Sequence, residues 1–99
     1  MALRIAVDKS ALEALCRRHG VRKLAFFGSV LRDDFRADSD VDVLVEFVPG
    51  QMVGFRFVHI QDELSDLVGR HVDLNTAKSL SKYFRDDVLR HAEVWVDAA

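Results

Sequence analysis

The sequence predicts a small α/β domain, because segments with helical periodicity alternate with short apolar segments typical of strands. The helical segments lie at about residues 9–19, 54–68 and 79–91, and the strand-like segments at 23–28, 41–48 and 71–75. Neither a repeat nor a low-complexity tract interrupts the chain of 99 residues, of which 49% are hydrophobic. This length and composition suit one hydrophobic core, so residues 1–99 are expected to form a single domain.

The first helix is predicted over about residues 9–19. Apolar residues recur there at three- and four-residue spacing, namely Leu12, Leu15 and Cys16. Ser10 and Glu13 have the spacing of a capping box, and Gly20 stands where a helix commonly ends. This helix should therefore bury one apolar stripe that includes the chain's single cysteine. A buried structural thiol is the expected role of Cys16.

The segments that follow show strand periodicity and then a second helical pattern. KLAFFG is a short apolar run ended by glycine, and VDVLVEFV alternates apolar residues with Asp42, Leu44 and Glu46. A helical stripe then continues to Gly69 through Phe57, Ile60, Leu64 and Leu67. HVDLN is predicted to be a third short strand.

The end of the chain contains a predicted helix and a segment whose secondary structure the pattern leaves open. Leu80, Phe84 and Val88 predict a last helix over about 79–91. The final segment EVWVD fits either a strand or an extension of that helix, and its periodicity does not separate the two.

Composition limits the kinds of partner and compartment. Fourteen basic and sixteen acidic residues give a formal net charge of -2, so no general field attracts nucleic acid or an anionic membrane. Direct nucleic-acid binding is not expected. No apolar run approaches the roughly 20 residues of a membrane span, and the first residues lack a signal-peptide core. With one cysteine and no disulfide pair, a cytoplasmic location without a membrane partner is expected.

The stretch FFGSVLRDDFRADSDVDVLVEF, residues 26–47, places aspartates at every second position before a buried strand. Because side chains alternate along a strand, Asp40 and Asp42 should project from one face, about 6 to 7 Å apart. Two carboxylates at that distance repel each other unless a cation lies between them. Their hard oxygen atoms favour Mg²⁺ or Mn²⁺. Asp38 has the same parity but is expected in the preceding loop.

A calcium-binding loop is the main alternative for this aspartate pattern. An EF-hand loop requires glycine at its sixth position and a bidentate glutamate at its twelfth. Counted from Asp38, those positions hold Val43 and Pro49. The sequence therefore does not support a calcium loop.

Gly28 and Ser29 are the predicted phosphate-binding residues. They stand where the first strand turns into a helical turn beginning SVLRDD, and a helix N-terminus presents free amide groups to an anion. Glycine permits close approach of a phosphate, and the Ser29 hydroxyl adds a donor. Arg32 and Arg36, in the same connection, can neutralise phosphate charge or pair with the nearby aspartates.

Gly28-Ser29, ten intervening residues and Asp40-x-Asp42 before an apolar strand together resemble the signature of the DNA polymerase β-like nucleotidyltransferases. The chain is most similar to their minimal branch, the MNT proteins found as antitoxins beside HEPN-domain toxins. The order of predicted elements extends this resemblance over nearly the whole chain. Asp33 and Ala37 depart from it, since glycine and proline are usual at those two positions.

The resemblance implies a mixed sheet with helices packed on it and a third carboxylate on the next strand. Asp73 in HVDLN matches that order. Asp40, Asp42 and Asp73 would then be the catalytic and metal-binding residues for two metal ions, one that activates the attacking hydroxyl and one that holds the triphosphate. Gly28, Ser29, Arg32 and Arg36 would bind the nucleotide.

The implied activity is transfer of AMP from ATP to a hydroxyl group, with release of pyrophosphate. The chain has no obvious second lobe for an acceptor, so a partner protein is expected to present the acceptor hydroxyl. The expected acceptor is a tyrosine of a HEPN-type toxin. Two other functions remain open at this point. The chain could neutralise a toxin by binding alone, or it could be the transfer subunit of a small-molecule modifying enzyme.

Overall fold

The computed structural model describes residues 3, 5–33, 35–50 and 53–98. In these residues the helices and strands follow one another in the order that the sequence predicts. They are α1 Lys9–His19, β1 Val21–Phe27, β2 Val41–Phe47, α2 Arg56–Val68, β3 Val72–Asn75, α3 Arg85–His91 and β4 Glu93–Asp97. Short 3-10 helices lie at Gly28–Leu31 and Ala77–Ser79.

The strands form one mixed sheet in the order β3-β2-β1-β4. β1 is antiparallel to both β2 and β4, whereas β2 and β3 are parallel. The mixed sheet implied by the family resemblance is therefore confirmed. The segment EVWVD, for which two structures were possible, is the edge strand β4.

One face of the sheet packs against α1 and α2 and forms the core. Val41, Val43 and Val45 of β2 are at most 3% exposed, and they lie against the buried stripe of each helix. Because side chains alternate along a strand, the residues between these valines face the other side of the sheet. Burial of the valines thus places Asp42 on the face opposite the two core helices.

Helix α1 has the predicted bounds but a different N-terminal cap. The Asp8 side chain accepts a hydrogen bond from the Ala11 amide at 3.2 Å, so Asp8 is the N-cap residue. Ser10 lies inside the helix, and the predicted capping box with Glu13 is therefore wrong. Gly20 ends the helix in the left-handed conformation with a φ of 69°, as its position predicts.

The apolar stripe of α1 is buried as predicted, and Cys16 is 1% exposed. Burial raises the pKa of the Cys16 thiol to about 11, and the nearby Glu13 carboxylate adds to this effect. The thiol is therefore protonated at neutral pH, which agrees with a structural role.

Helix α1 is also joined to α2 by charged groups at its C-terminal end. Glu63 of α2 accepts a hydrogen bond from Arg18 at 2.9 Å and lies 2.7 Å from His19 Nε2. Hydrogen bonds from His19 and Arg18 lower the pKa of the Glu63 carboxyl.

Among the described residues, no helix is long and apolar enough to cross a membrane.

The last two helices begin later than their periodicity predicts. Gly54 has a φ of 47°, which is incompatible with a right-handed helix, and α2 begins at Arg56. Helix α3, predicted from about residue 79, begins only at Arg85. Ser79 instead ends a separate 3-10 turn, Ala77–Ser79, which is closed by reciprocal hydrogen bonds between Thr76 and Ser79. Leu80 is then extended and 6% exposed, so the chain inserts this side chain into the protein before α3 begins.

Candidate active site

The parallel pairing of β2 with β3 brings two of the predicted carboxylates together. Asp42 is the direct register partner of Asp73, between the partner pairs Val41 with Val72 and Val43 with Leu74. Neighbouring strands are about 4.8 Å apart, and residues in register point to the same face of a sheet. Asp42 and Asp73 therefore project side by side from the face opposite the core.

Asp42 is half-buried, and its surroundings disfavour its charged form. Burial raises the pKa of its carboxyl, and the negative charges of Asp73 and Asp40 raise it further. The positive charge of Arg32 acts in the opposite direction. The three predicted carboxylates are therefore close enough to interact electrostatically, with one predicted arginine beside them.

Gly28 packs directly against the Asp42 carboxylate. Phe27, the last residue of β1, is the register partner of Asp42, so the following glycine lies next to that side chain. A Cβ atom added to Gly28 would stand 2.3 Å from Asp42 Oδ2. Gly28 also has a φ of 79°, which side-chain-bearing residues rarely adopt. Glycine is thus required here both for the turn and for the position of Asp42.

Asp40 lies immediately before β2 and is exposed to solvent. Its Oδ1 atom is 3.2 Å from His71 Nδ1, at the start of the segment that leads into β3. The amide of Val41 donates to the His71 carbonyl at 2.9 Å, so the backbone also fixes these two segments to each other. Asp38 is exposed in the preceding turn, in agreement with its expected place in the loop.

The predicted nucleotide-binding residues lie along the connection that begins at Gly28. Gly28–Leu31 is a single 3-10 turn, held to the core by Val30, which is 0% exposed. Ser29 is half-buried and its carbonyl accepts the Arg32 amide at 2.8 Å. Arg32 and Arg36 are both exposed. Arg32 lies beside the carboxylates, whereas Arg36 belongs to the turn that precedes Asp40.

A cleft of about 710 Å³ opens beside this glycine turn. One wall contains Gly28 and Arg32, and the other contains residues of α3 and β4, among them Asp87, His91 and Glu93. Reasoning from the sequence missed this second wall. Its position depends on the antiparallel pairing of β4 with β1, which no local pattern in EVWVD indicates.

The oxygen donors at this edge of the sheet suit a hard divalent cation. Within the described ranges, no group of three or more His, Cys, Asp or Glu side chains is placed so that it could hold a metal ion. Mg²⁺ commonly takes one or two carboxylates and completes its coordination with water and substrate phosphates. A partly buried Asp42 with two acidic neighbours and an adjacent cleft fits that kind of site.

Comparison with protein families identifies residues 8–94 as a nucleotidyltransferase domain. This match includes β1, β2 and β3, the first two residues of β4 and all the residues of the candidate site. Protein adenylyltransferase MntA of Thermococcus cleftensis is 38% identical over 78 residues, which cover 77% of this chain and 76% of that protein.

Solved structures agree in fold. One described as a "putative minimal nucleotidyltransferase" is 37% identical, with a TM-score of 0.70 over 85% of both chains. A toxin-antitoxin crystallised with AMP-PNP has a TM-score of 0.73 at 17% identity, over 92% of this chain and 74% of that chain. Since the family match spans most of the sequence and the carboxylates meet beside the glycine turn, the chain belongs to the nucleotidyltransferase domain family.

Proposed function

We propose that this protein transfers AMP from ATP to a tyrosine hydroxyl of a HEPN-type partner protein and thereby acts as an antitoxin. The observation that carries this proposal is the register of Asp42 with Asp73, beside Gly28 and within electrostatic reach of Asp40. The similar Thermococcus protein is named a protein adenylyltransferase, which supports protein as the acceptor. The toxin-antitoxin with AMP-PNP supports an adenine nucleotide as the donor.

The proposed reaction is an in-line displacement at the α-phosphorus of ATP. The acceptor oxygen forms a bond to this phosphorus as the bond to pyrophosphate breaks, and the phenol loses its proton to solvent. Ser29 and the backbone at Gly28 would hold the outer phosphates, with Arg32 and Arg36 neutralising part of their charge. These groups would orient the triphosphate so that its α-phosphorus lies at the carboxylate edge.

Asp40, Asp42 and Asp73 would be the ligands of Mg²⁺ or Mn²⁺. When bound, such ions would polarise the phosphates and lower the pKa of the acceptor hydroxyl. Asp42 is the most constrained of the three, because it packs on Gly28 and lies in register with Asp73. Asp40 and Asp73 are exposed, so they can adjust to the substrate.

A protein acceptor suits the open geometry of this edge. Both Asp40 and Asp73 face solvent, and burial of a nucleotide needs walls on more than one side. A partner that docks over the carboxylates would supply a further wall and present its own hydroxyl. A tyrosine is suitable chemically, because its pKa near 10 makes it easier to ionise than an aliphatic alcohol.

The proposal is tested by mixing the purified chain and its HEPN-type partner with ATP and Mg²⁺, followed by intact mass spectrometry. We expect the partner to gain mass in steps of one AMP, and peptide sequencing to place the AMP on tyrosine. The variants Asp40→Asn and Asp42→Asn should lose this product. Asp62→Asn is the matched control, because Asp62 is an exposed residue on α2 and should leave transfer unchanged.

Two other results would contradict the proposal in different ways. A tight complex that silences an unmodified partner would indicate an antitoxin that acts by binding alone. If no complex forms and small-molecule hydroxyls are adenylylated instead, the chain would be the transfer subunit of a small-molecule modifying enzyme.

A further inference from the structure

The turn that precedes Asp40 is closed by hydrogen bonds of its own. The Ser39 amide donates to the Arg36 carbonyl at 3.1 Å, and the Ser39 hydroxyl accepts the Arg36 amide at 3.0 Å. These bonds make residues 36–39 a β-turn, with Ala37 at its second position. Asp40 follows directly, so a shift of the turn would move the Asp40 carboxylate.

Arg70 holds this turn from outside. Its Nη1 atom donates to the carbonyls of both Arg36 and Ala37, each at 3.0 Å. The same guanidinium lies 4.7 Å from the centre of the Phe35 ring, within the range of a cation–π contact. Three consecutive residues of the connection are therefore fixed by one side chain that is distant in sequence.

The backbone of Arg70 is itself well anchored. Its amide donates to the Ser65 carbonyl at the end of α2, at 3.2 Å. The next residue, His71, accepts the Val41 amide and so joins the same segment to the first residue of β2. Asp40 consequently lies between two attachments to residues 70 and 71, one on the turn before it and one on the strand after it.

An arginine is needed for this set of contacts. Its planar guanidinium can donate to two carbonyls while it stacks on an aromatic ring, which a lysine ammonium cannot reproduce. Ala37 leaves φ unrestricted at the turn position where proline is favoured, so the turn derives little rigidity from its own sequence. External hydrogen bonds can supply the rigidity that the alanine does not.

From these contacts we infer that Arg70 is a positioning residue for nucleotidyl transfer, which fixes the 36–39 turn and thereby the Asp40 carboxylate. This inference rests on the proposed function for its catalytic consequence. Arg70 contacts neither the carboxylates nor the glycine turn in the described hydrogen bonds, so it acts through backbone geometry. Its loss should therefore reduce kcat more than it changes the KM for ATP.

The test compares wild type with Arg70→Ala, Arg70→Lys and the double variant Arg70→Ala/Ala37→Pro, with Arg17→Ala on the exposed side of α1 as control. We expect kcat to fall about tenfold in both single variants, with KM within about twofold. Amide hydrogen exchange should quicken in residues 35–41 but not in β1. Proline at position 37 restricts the turn again and should restore most of the lost kcat.

The two readouts separate this inference from the proposed function. If wild type transfers no AMP, the proposed function is wrong, while faster exchange at residues 35–41 would still support the role of Arg70 in the turn. Unchanged exchange in both single variants would overturn the inference, as would a loss of kcat that Ala37→Pro does not reduce. If Arg70→Ala fails to fold, Arg70→Lys with and without Ala37→Pro gives the same comparison.

Discussion

Replacement of Gly28 by alanine is expected to reduce nucleotidyl transfer by at least about 100-fold, because a misplaced catalytic group raises the barrier steeply. The added Cβ would lie 2.3 Å from Asp42 Oδ2, a separation at which one of the two groups must move. Asp42 cannot easily move away from the added Cβ atom, because β2 holds it in register between Phe27 on one side and Asp73 on the other. The expected readout is transfer of AMP to the partner, measured beside the thermal midpoint.

Gly69→Ala is the matched control for this variant. Gly69 has a φ of 72°, close to the 79° of Gly28, but no heavy atom lies within 4 Å of the Cβ position. Both variants should lose about 1 to 2 kcal/mol of stability through the left-handed conformation. Transfer of AMP should fall sharply in Gly28→Ala but not in Gly69→Ala. Equal transfer in the two variants would show that the contact between Gly28 and Asp42 has no part in the reaction.

Replacement of Asp42 by asparagine is expected to lower transfer by at least about 100-fold without destabilising the protein. The change keeps the size of the side chain and removes the charge that would bind a metal ion. A bound metal ion contributes several kcal/mol of transition-state stabilisation to such reactions. Burial, Asp73 and Asp40 raise the pKa of Asp42 in the folded protein. The ionised carboxylate therefore opposes folding at neutral pH, and its removal should leave the thermal midpoint unchanged or higher.

The pH dependence of stability gives an independent check on this assignment. Because the folded pKa of Asp42 is raised, the penalty of its charge disappears as pH falls through that pKa. In metal-free buffer, any stability advantage of Asp42→Asn over wild type at pH 7 should shrink toward pH 4.

Activity measurements on two further variants complete the comparison. Asp73→Asn should also lose activity, whereas Asp62→Asn should match wild type. Full activity of Asp42→Asn would remove this residue from the mechanism.

The alternation of side chains along β2 was sufficient to predict which face carries Asp42. Val41, Val43 and Val45 are apolar and must face the core, so the aspartate between them faces away from it. The same reasoning applies to Asp73, between Val72 and Leu74. Local patterns of this kind do not specify that the two strands are neighbours and parallel. The family resemblance implied a mixed sheet and a third carboxylate on the next strand, and the structure adds the parallel register that places Asp73 beside Asp42.

Features that depend on contacts between distant segments were not predictable from the sequence. Gly28 was expected to allow a phosphate to approach, but its contact with Asp42 requires the pairing of β1 with β2. The late start of α3 reflects the burial of Leu80 in the folded protein, and the local hydrogen bonds between Thr76 and Ser79 also compete with a continuous helix. Arg70 lies 33 residues or more along the sequence from the carbonyls that it contacts, so no local sequence pattern predicts these hydrogen bonds.

If the protein transfers AMP, the phosphorus atom that becomes attached to the partner must be the α-phosphorus of ATP. Wild-type protein, its HEPN-type partner and Mg²⁺ are incubated with ATP labelled at either the α- or the γ-phosphorus. We predict that α-label becomes covalently attached to the partner, with one pyrophosphate released per AMP bound, and that γ-label does not. Attachment of γ-label, or a partner that is unlabelled by either nucleotide, would contradict nucleotidyl transfer to protein.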